Sequence, residues 1–590
     1  MLKSIKRIAV IVIGSFTLAS CSLEELVPDS ITPDKISKEE DVLSLIYGIY
    51  APMNNPDGFK YEIFKYLFLA GDDIYANGVA ELQNISAKTF TAENTESFWN
   101  MFYSVIGNCN NLIDVLDKLE LSANFEKRAY GEAHYMRALS YYYLVRIYGG
   151  VPLRKEVTTR DSDFQLKRSE VHEVYELIFE DFNIAANSLP VRSKLGEADL
   201  GRATKGAAQG MLAQAHLTYA NHIERAGNRG ESEVHYQNAI SFADSVMMSL
   251  EYKLLDDYGK LWGVDNEIGA YEEVMFGVRF SADPARVGFG ANGSEFAYRF
   301  LGTNTWGVTS DKPNGAGAAQ IRPQLWATNA AYSGDYAVFT LANIKPVVGE
   351  INYDYRAQIT YFQKGHNNNL NTTTNQYYTP FYLYPISPEA PRSQLGYNSA
   401  TTAVLGKYID ASGYDSRNHG NDFFIMRFAE IPLIKAEALN ELNGPNQLSV
   451  DLLNVLRNRA RKADGVTRIY PTLLTLGTHT KESFRRKVLE ERHAEFHSEG
   501  LRWFDLIRMT SHTDPTKTMY DYQFEEFLPT QMVGTPSLNN TTRAWTIRGI
   551  INVATSRESI RYDPKFKLFP VPSSELINNP NFGVQNPGWN

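Results

Sequence analysis

Residues 125–147 constrain the fold more than any other stretch of the chain. Phe125, Ala129, Ala133, Met136, Ser140, Leu144 and Ile147 recur at steps of four and three. That spacing aligns one packed face of an α-helix. Gly149-Gly150-Val151-Pro152 follows at once and stops the helix.

Segments 170–188, 203–223 and 233–250 also read as helices. Ala203, Gly206, Ala207, Gly210, Ala213 and Gln214 leave a narrow surface that a second helix can approach closely. The helices come in pairs with short links, as in tetratricopeptide-type hairpins, although no strict repeat of roughly 34 residues is visible. A second helical block covers 423–510, with helices expected at 426–442, 448–462 and 481–509. Pro432 interrupts the first of these. Proline suits a first turn and disrupts a helix interior, so that helix starts near Glu430 or kinks there.

Residues 256–422 differ. Gly, Asn, Thr, Tyr and Pro are frequent there, helical periodicity fades, and β-prone pieces appear at Val274–Phe280 and Gln376–Leu383. Residues 515–590 look similar. The expected architecture is mainly α: a tetratricopeptide-like helical-hairpin scaffold with an inserted loop-rich lobe containing short strands. The expected divisions are a helical region at 41–255, the lobe at 256–422 and a second helical region with its tail at 423–590. Functional loops are commonly mounted on rigid scaffolds in this way.

The N-terminus sets the expected compartment. Lys3, Lys6 and Arg7 precede an apolar run from Ile8 to Leu18, and Leu18-Ala19-Ser20-Cys21 ends it. The run is shorter than the roughly 20 residues that span a bilayer, and the pattern is that of a secretory signal peptide over 1–20. Its end resembles the lipobox of bacterial lipoproteins, which implies lipid attachment at Cys21 and a tether over 21–40. The acidic Glu24-Glu25 just after it resembles a surface-export signal of Bacteroidetes-type bacteria. The only other cysteine, Cys109, lies in an expected helix and reads as a buried, inert thiol.

A net charge of -10 without a basic cluster excludes a nucleic-acid partner. The 35 Tyr, 31 Phe and 7 Trp are a high aromatic content; core packing takes most of them, and flat rings with polar tips also suit sugar rings. Catalytic motifs are weak by comparison. His493 and His497 have the i, i+4 spacing of a zinc site, but Ala494 stands where a zinc protease carries its glutamate. Glu490, Glu491, Arg492, Glu495, Glu499, Arg502, Asp505 and Arg508 alternate in sign and read as structural charge networks. The acidic pairs Asp72-Asp73 and Asp256-Asp257 offer no evidence of a cleft.

Several motifs occur in one order. They are Leu23-Glu24-Glu25-Leu26-Val27-Pro28, Phe98-Trp99-Asn100-Met101-Phe102-Tyr103, and Gly131-Glu132-Ala133-His134-Tyr135-Met136-Arg137-Ala138 leading to Tyr148-Gly149-Gly150-Val151-Pro152. Near the end come Glu490-Glu491-Arg492-His493-Ala494-Glu495-Phe496, Glu499-Gly500-Leu501-Arg502-Trp503-Phe504-Asp505, and Leu568-Phe569-Pro570-Val571-Pro572. In this order they resemble the SusD/RagB-type outer-membrane lipoproteins. The resemblance implies a surface protein that captures oligosaccharide and closes over a SusC-like TonB-dependent transporter, with its ligand site in variable loops and no catalysis. Peptide cargo in the same architecture is the rival reading, and a surface glycosidase a more distant one.

For the ligand site, loop aromatics with nearby amides and carboxylates are the candidates: Trp306, Tyr298, Asn304 and Trp326 in the lobe, and Tyr75, Asn77 and Asp73 near the N-terminus. Trp99 and Trp503, on helices, are assigned to the core. No cofactor is expected, and a structural calcium ion is left open.

Overall fold

A computed structural model gives the fold. It describes residues 36–159, 162–283, 293–300, 306–307, 320–324, 354–361, 405–410, 417–462, 467–538, 545–553 and 562–589, with short strands at 364–367, 370–371, 376–377 and 380–382. Cys21, Asn304 and Trp326 lie outside the described residues.

Six helices form the first block: α1 (Glu39–Tyr50), α2 (Glu96–Leu116), α3 (Ala123–Tyr148), α4 (Val171–Ser188), α5 (Lys205–Arg225) and α6 (Arg229–Ser249). From α2 onward each packs against the next, giving stacked antiparallel hairpins. Helix α3 runs through their centre. The periodicity reads one buried face, yet every residue from Gly131 to Tyr148 is buried, because α2 and α4 flank the helix and the C-terminal tail covers its end. There the Phe569 N–H donates to the Ile147 carbonyl at 2.8 Å. Trp99 and Trp503 are core residues, as expected. Cys109 is buried too, and burial pushes its thiol far above the ordinary range.

The small residues of α5 admit strands as well as neighbouring helices. A Cβ on Gly210 would meet Met426 Sδ at 2.6 Å and Met275 Cε at 2.9 Å. Those methionines sit on β2 (Val274–Val278) and β9 (Phe423–Arg427), an antiparallel pair buried along its length. The expected strand at 274–280 is therefore real, and it pairs with a strand from the second helical block. One continuous apolar core links the two sides of the expected boundary at 422.

The second block contains α8 (Glu430–Asn443), α9 (Gln447–Arg461), α10 (Lys481–Phe496) and α11 (Arg502–Arg508), with α7 (Phe296–Phe300) preceding it in the lobe. Strand β9 occupies the start of the expected 426–442 helix, and α8 begins at Glu430 with Pro432 in its first turn. The expected single helix at 481–509 is two helices. His497 is extended, and Ser498 and Gly500 take φ of 62° and 76°, so the chain turns between α10 and α11. A Cβ on Gly500 would lie 3.0 Å from Leu67 Cβ.

That turn organises the charges of the segment. Arg427 donates to Glu499 at 2.8 Å, to Glu273 at 2.6 Å and to Glu495 at 3.0 Å. Arg356 reaches Glu491 at 2.8 Å and Glu495 at 3.0 Å, and Arg492 bridges Glu430 and Asp505, both at 2.8 Å. Burial alone would raise the Glu495 carboxyl, but Arg459, Arg427 and Arg356 hold it far below the usual carboxylate range. The charge alternation in the sequence is thus an interior lattice joining α8, α9, α10 and β9.

The lobe holds short antiparallel pairings: β1 (Ile74–Ala76) with β4 (Ile321–Pro323), a three-stranded sheet of β3 (Trp306–Gly307), β5 (Lys364–Asn367) and β8 (Pro380–Tyr382), and β6 (Leu370–Asn371) with β7 (Gln376–Tyr377). A hairpin of β10 (Met532–Leu538) and β11 (Trp545–Asn552) precedes the tail. Among the described residues, no helix is long and apolar enough to cross a membrane.

Candidate functional site

Strand β1 draws the N-terminal candidates toward those of the lobe. Tyr75 pairs across the ladder with Arg322, and the Asn77 N–H donates to the Gln320 carbonyl at 2.7 Å. The Gln320 side chain in turn accepts from Arg299 Nη1. The Arg299 guanidinium lies 5.1 Å from the Tyr298 ring and 4.6 Å from the Tyr61 ring. Tyr61, Tyr75 and Tyr298 are each half-buried and Asn77 is exposed. Two partly open rings, Tyr61 and Tyr298, therefore lie against Arg299, with Arg417 5.0 Å from the Tyr298 ring, and the β1 main chain brings Tyr75 into the same region.

The other candidates separate from this surface. Trp306 belongs to the β3–β5–β8 sheet, paired with Asn367. Asp73, read from sequence as a ligand-site carboxylate, faces inward with its side chain only 2 % exposed. Asp72 beside it is ion-paired with Arg502 at 2.9 Å. Neither carboxylate is the solvated or capping group that an acidic pair in a loop suggests.

Tyr61, Arg299 and Gln320 were missed in the sequence. Tyr61 sits in the aromatic run Phe59 to Phe68, which packs inward except at this position. Arg299 and Gln320 carry no local signal; the β1–β4 pairing alone brings them in.

The histidines of the 490–500 motif form a second cluster. His493 Nε2 lies 3.3 Å from Asp73 Oδ2, and the His493 and His497 rings stack with centroids 5.1 Å apart. Burial, reinforced by Arg502, pushes the His493 imidazole down to about 3. Burial also takes His497 down to about 3, outweighing the attraction of Asp73. Glu495 between them turns away into the arginine lattice.

A cavity of about 250 Å³ opens elsewhere, between α3, α4, α5 and α11. Arg146, Arg225, Arg508 and Lys567 line it. Arg508 is neutralised by Glu437 and Asp505, and Lys567 by Asp521. Burial lowers Arg225 to about 10.

Comparison with known proteins places this geometry. A model described as the SusD family matches residues 273–589. The chain belongs to the SusD family. A second model, described as starch-binding associating with outer membrane, matches residues 23–217, and outer-membrane association is the setting it gives. The SusD-like protein P2 of Formosa agariphila is 25% identical over 588 residues, covering 97% of each chain. A SusD homolog from Bacteroides thetaiotaomicron superposes with a TM-score of 0.70 at 20% identity, covering 94% of this chain and 98% of that one. A laminarin binding SusD-like protein superposes with a TM-score of 0.63 at 20% identity, covering 94% and 100%. The SusD fold accounts for the stacked hairpins and for the strand-bearing lobe beside them.

Proposed function

We propose that this SusD-family chain is a surface lipoprotein that binds an oligosaccharide and hands it to a SusC-like TonB-dependent transporter, breaking no bond. The observation that carries the reading is the linked surface of Tyr61, Tyr75 and Tyr298 with Asn77, Gln320 and Arg299. Sugar rings present apolar C–H faces and hydroxyl edges. Half-open aromatic rings meet the faces and amide groups meet the edges, while Arg299, buried and paired with Glu295, holds the Tyr61 and Tyr298 rings in place. A relative of the same fold carries laminarin binding in its name, which supports a glycan as cargo. Trp306, Asn304 and Trp326 belong to the proposal as lobe residues that would extend the surface. Cys21 is its proposed lipid anchor, on the sequence pattern alone.

The test is calorimetric titration of the protein with a panel of neutral and charged oligosaccharides. Saturable binding that weakens in Tyr75→Ala and Tyr298→Ala supports both function and site. Binding untouched by these changes and lost in Trp306→Ala moves the site to the β3–β5–β8 sheet. Binding of peptides with no response to any glycan overturns the cargo. Incubation with a bound glycan, followed by product analysis, tests the absence of turnover. Co-purification with a SusC-like transporter from the same cells tests the handover.

A further inference from the structure

Asp73, His493 and His497 converge inside the protein from distant parts of the chain. Asp73 precedes β1, His493 lies on the last turn of α10 and His497 is the residue that ends that helix. One ligand atom from each lies within 4.8 Å of the others, and all three residues are buried, at 1 %, 7 % and 1 % exposure. Asp73 Oδ2 and both ring nitrogens of His497 make no hydrogen bond among the described residues. Buried polar atoms left without a partner cost free energy, and each such atom in a well-packed interior calls for an explanation.

We propose that these three side chains bind a divalent transition metal, with zinc as the best fit, as a structural staple. Zinc takes imidazole nitrogen and carboxylate oxygen at roughly 2.0–2.2 Å, so neighbouring ligands in a tetrahedron stand about 3.3–3.5 Å apart. The observed 3.3 Å between His493 Nε2 and Asp73 Oδ2 already matches one such edge. A small rotation of the His497 ring, which holds no hydrogen bond to break, would close the others. Calcium is disfavoured, since it takes six to eight oxygens and no nitrogen. Arg502 and Lys407 oppose a cation here, and Asp72 and Asp505, beside His493, favour one. Burial denies a substrate access, which makes the role structural. The metal would fasten the segment leading into β1, and with it Tyr75, to the end of α10. This inference does not depend on the nature of the cargo.

The experiment uses the full chain purified in detergent, stripped with EDTA, then given zinc or calcium and freed of excess by gel filtration. Elemental analysis is expected to find about one zinc per chain and no calcium, with a higher melting temperature in zinc than in EDTA. Cobalt in place of zinc is expected to give the visible absorption of a four-coordinate nitrogen–oxygen site. His497→Gln and His493→Gln are each expected to lose the bound metal. Wild-type protein that retains no zinc, or a zinc content unchanged in both variants, overturns the proposal. If a variant fails to fold, the wild-type melting temperature decides: a rise with zinc supports the site and no rise overturns it.

Discussion

Arg502 clasps Asp72 across 430 positions of chain, with Nε donating to Oδ1 at 2.9 Å and Nη2 to Oδ2 at 3.1 Å. The pair ties the residues just before β1 to the start of α11, with the Asp72 side chain fully buried and that of Arg502 10% exposed. Arg502→Met removes the guanidinium that holds both oxygens of the Asp72 carboxylate in the interior. Removing one partner of a buried pair costs about 3–5 kcal/mol. Chemical denaturation should show a loss of that size, and adding Asp72→Asn should restore part of it.

A second buried pair gives a pH test. Arg137 donates twice to Asp181, at 2.8 Å each, and His134 Nδ1 lies 2.6 Å from the same carboxylate. Burial alone would raise Asp181, but the bonds from Arg137 and His134 outweigh it and hold the carboxyl below its ordinary value. A carboxyl with a lowered folded value stabilises the protein above the unfolded value, near 3.9, and loses that contribution as pH falls further. Asp181→Asn should therefore be markedly less stable than wild type at pH 7. The gap between them should narrow as pH drops below about 4, read from urea midpoints at each pH.

Two glycines separate backbone from side-chain crowding. A Cβ on Gly150 would sit 2.1 Å from the Ser169 carbonyl oxygen, whereas on Gly210 it meets the flexible ends of Met426 and Met275. Overpacking typically costs about 1–3 kcal/mol. Gly210→Ala should fall at the low end of that range and Gly150→Ala above it, because methionines can swing aside and a backbone carbonyl cannot. Thermal melts of the two variants decide the order.

At the tyrosine surface, one ring contact is worth about 1 kcal/mol, or roughly fivefold in affinity. Tyr75→Ala and Tyr298→Ala should each weaken glycan binding by about that factor, read in calorimetric titration at a temperature where both variants are folded. Gln320→Ala should weaken binding less, through lost alignment of Arg299.

The helices were legible wherever a local rule governs them. Gly149-Gly150 ends α3 where the sequence places the stop, and Pro432 fixes the start of α8 at Glu430. What escaped was decided between distant segments. Gly500 is the local mark of the break before α11, and Glu499 turning inward to Arg427 and Lys407 fixes where it falls. Gly206 and Gly210 signal a close approach, but not that Tyr252 and the β2–β9 pair are what approaches. For the candidate site, Tyr75, Asn77 and Tyr298 were readable as residue types. Their linkage through Gln320 was not, because it rests on pairing between strands some 240 residues apart.

The β2–β9 register has an evolutionary corollary. Val278, where the chain leaves the scaffold, stands directly opposite Phe423, where it returns. The intervening excursion thus leaves and returns through one doorway whose jambs are held by the core, and the β1–β4 pair, Arg356 and Lys407 tie it to the scaffold at further points. Closing a longer loop costs only about 0.6 kcal/mol per doubling of its length. Length changes between those jambs are cheap where they spare Phe296 and Phe300, which belong to the core, and Arg356 and Lys407, which reach the arginine lattice, so new cargo preferences can arise without refolding the frame that carries them.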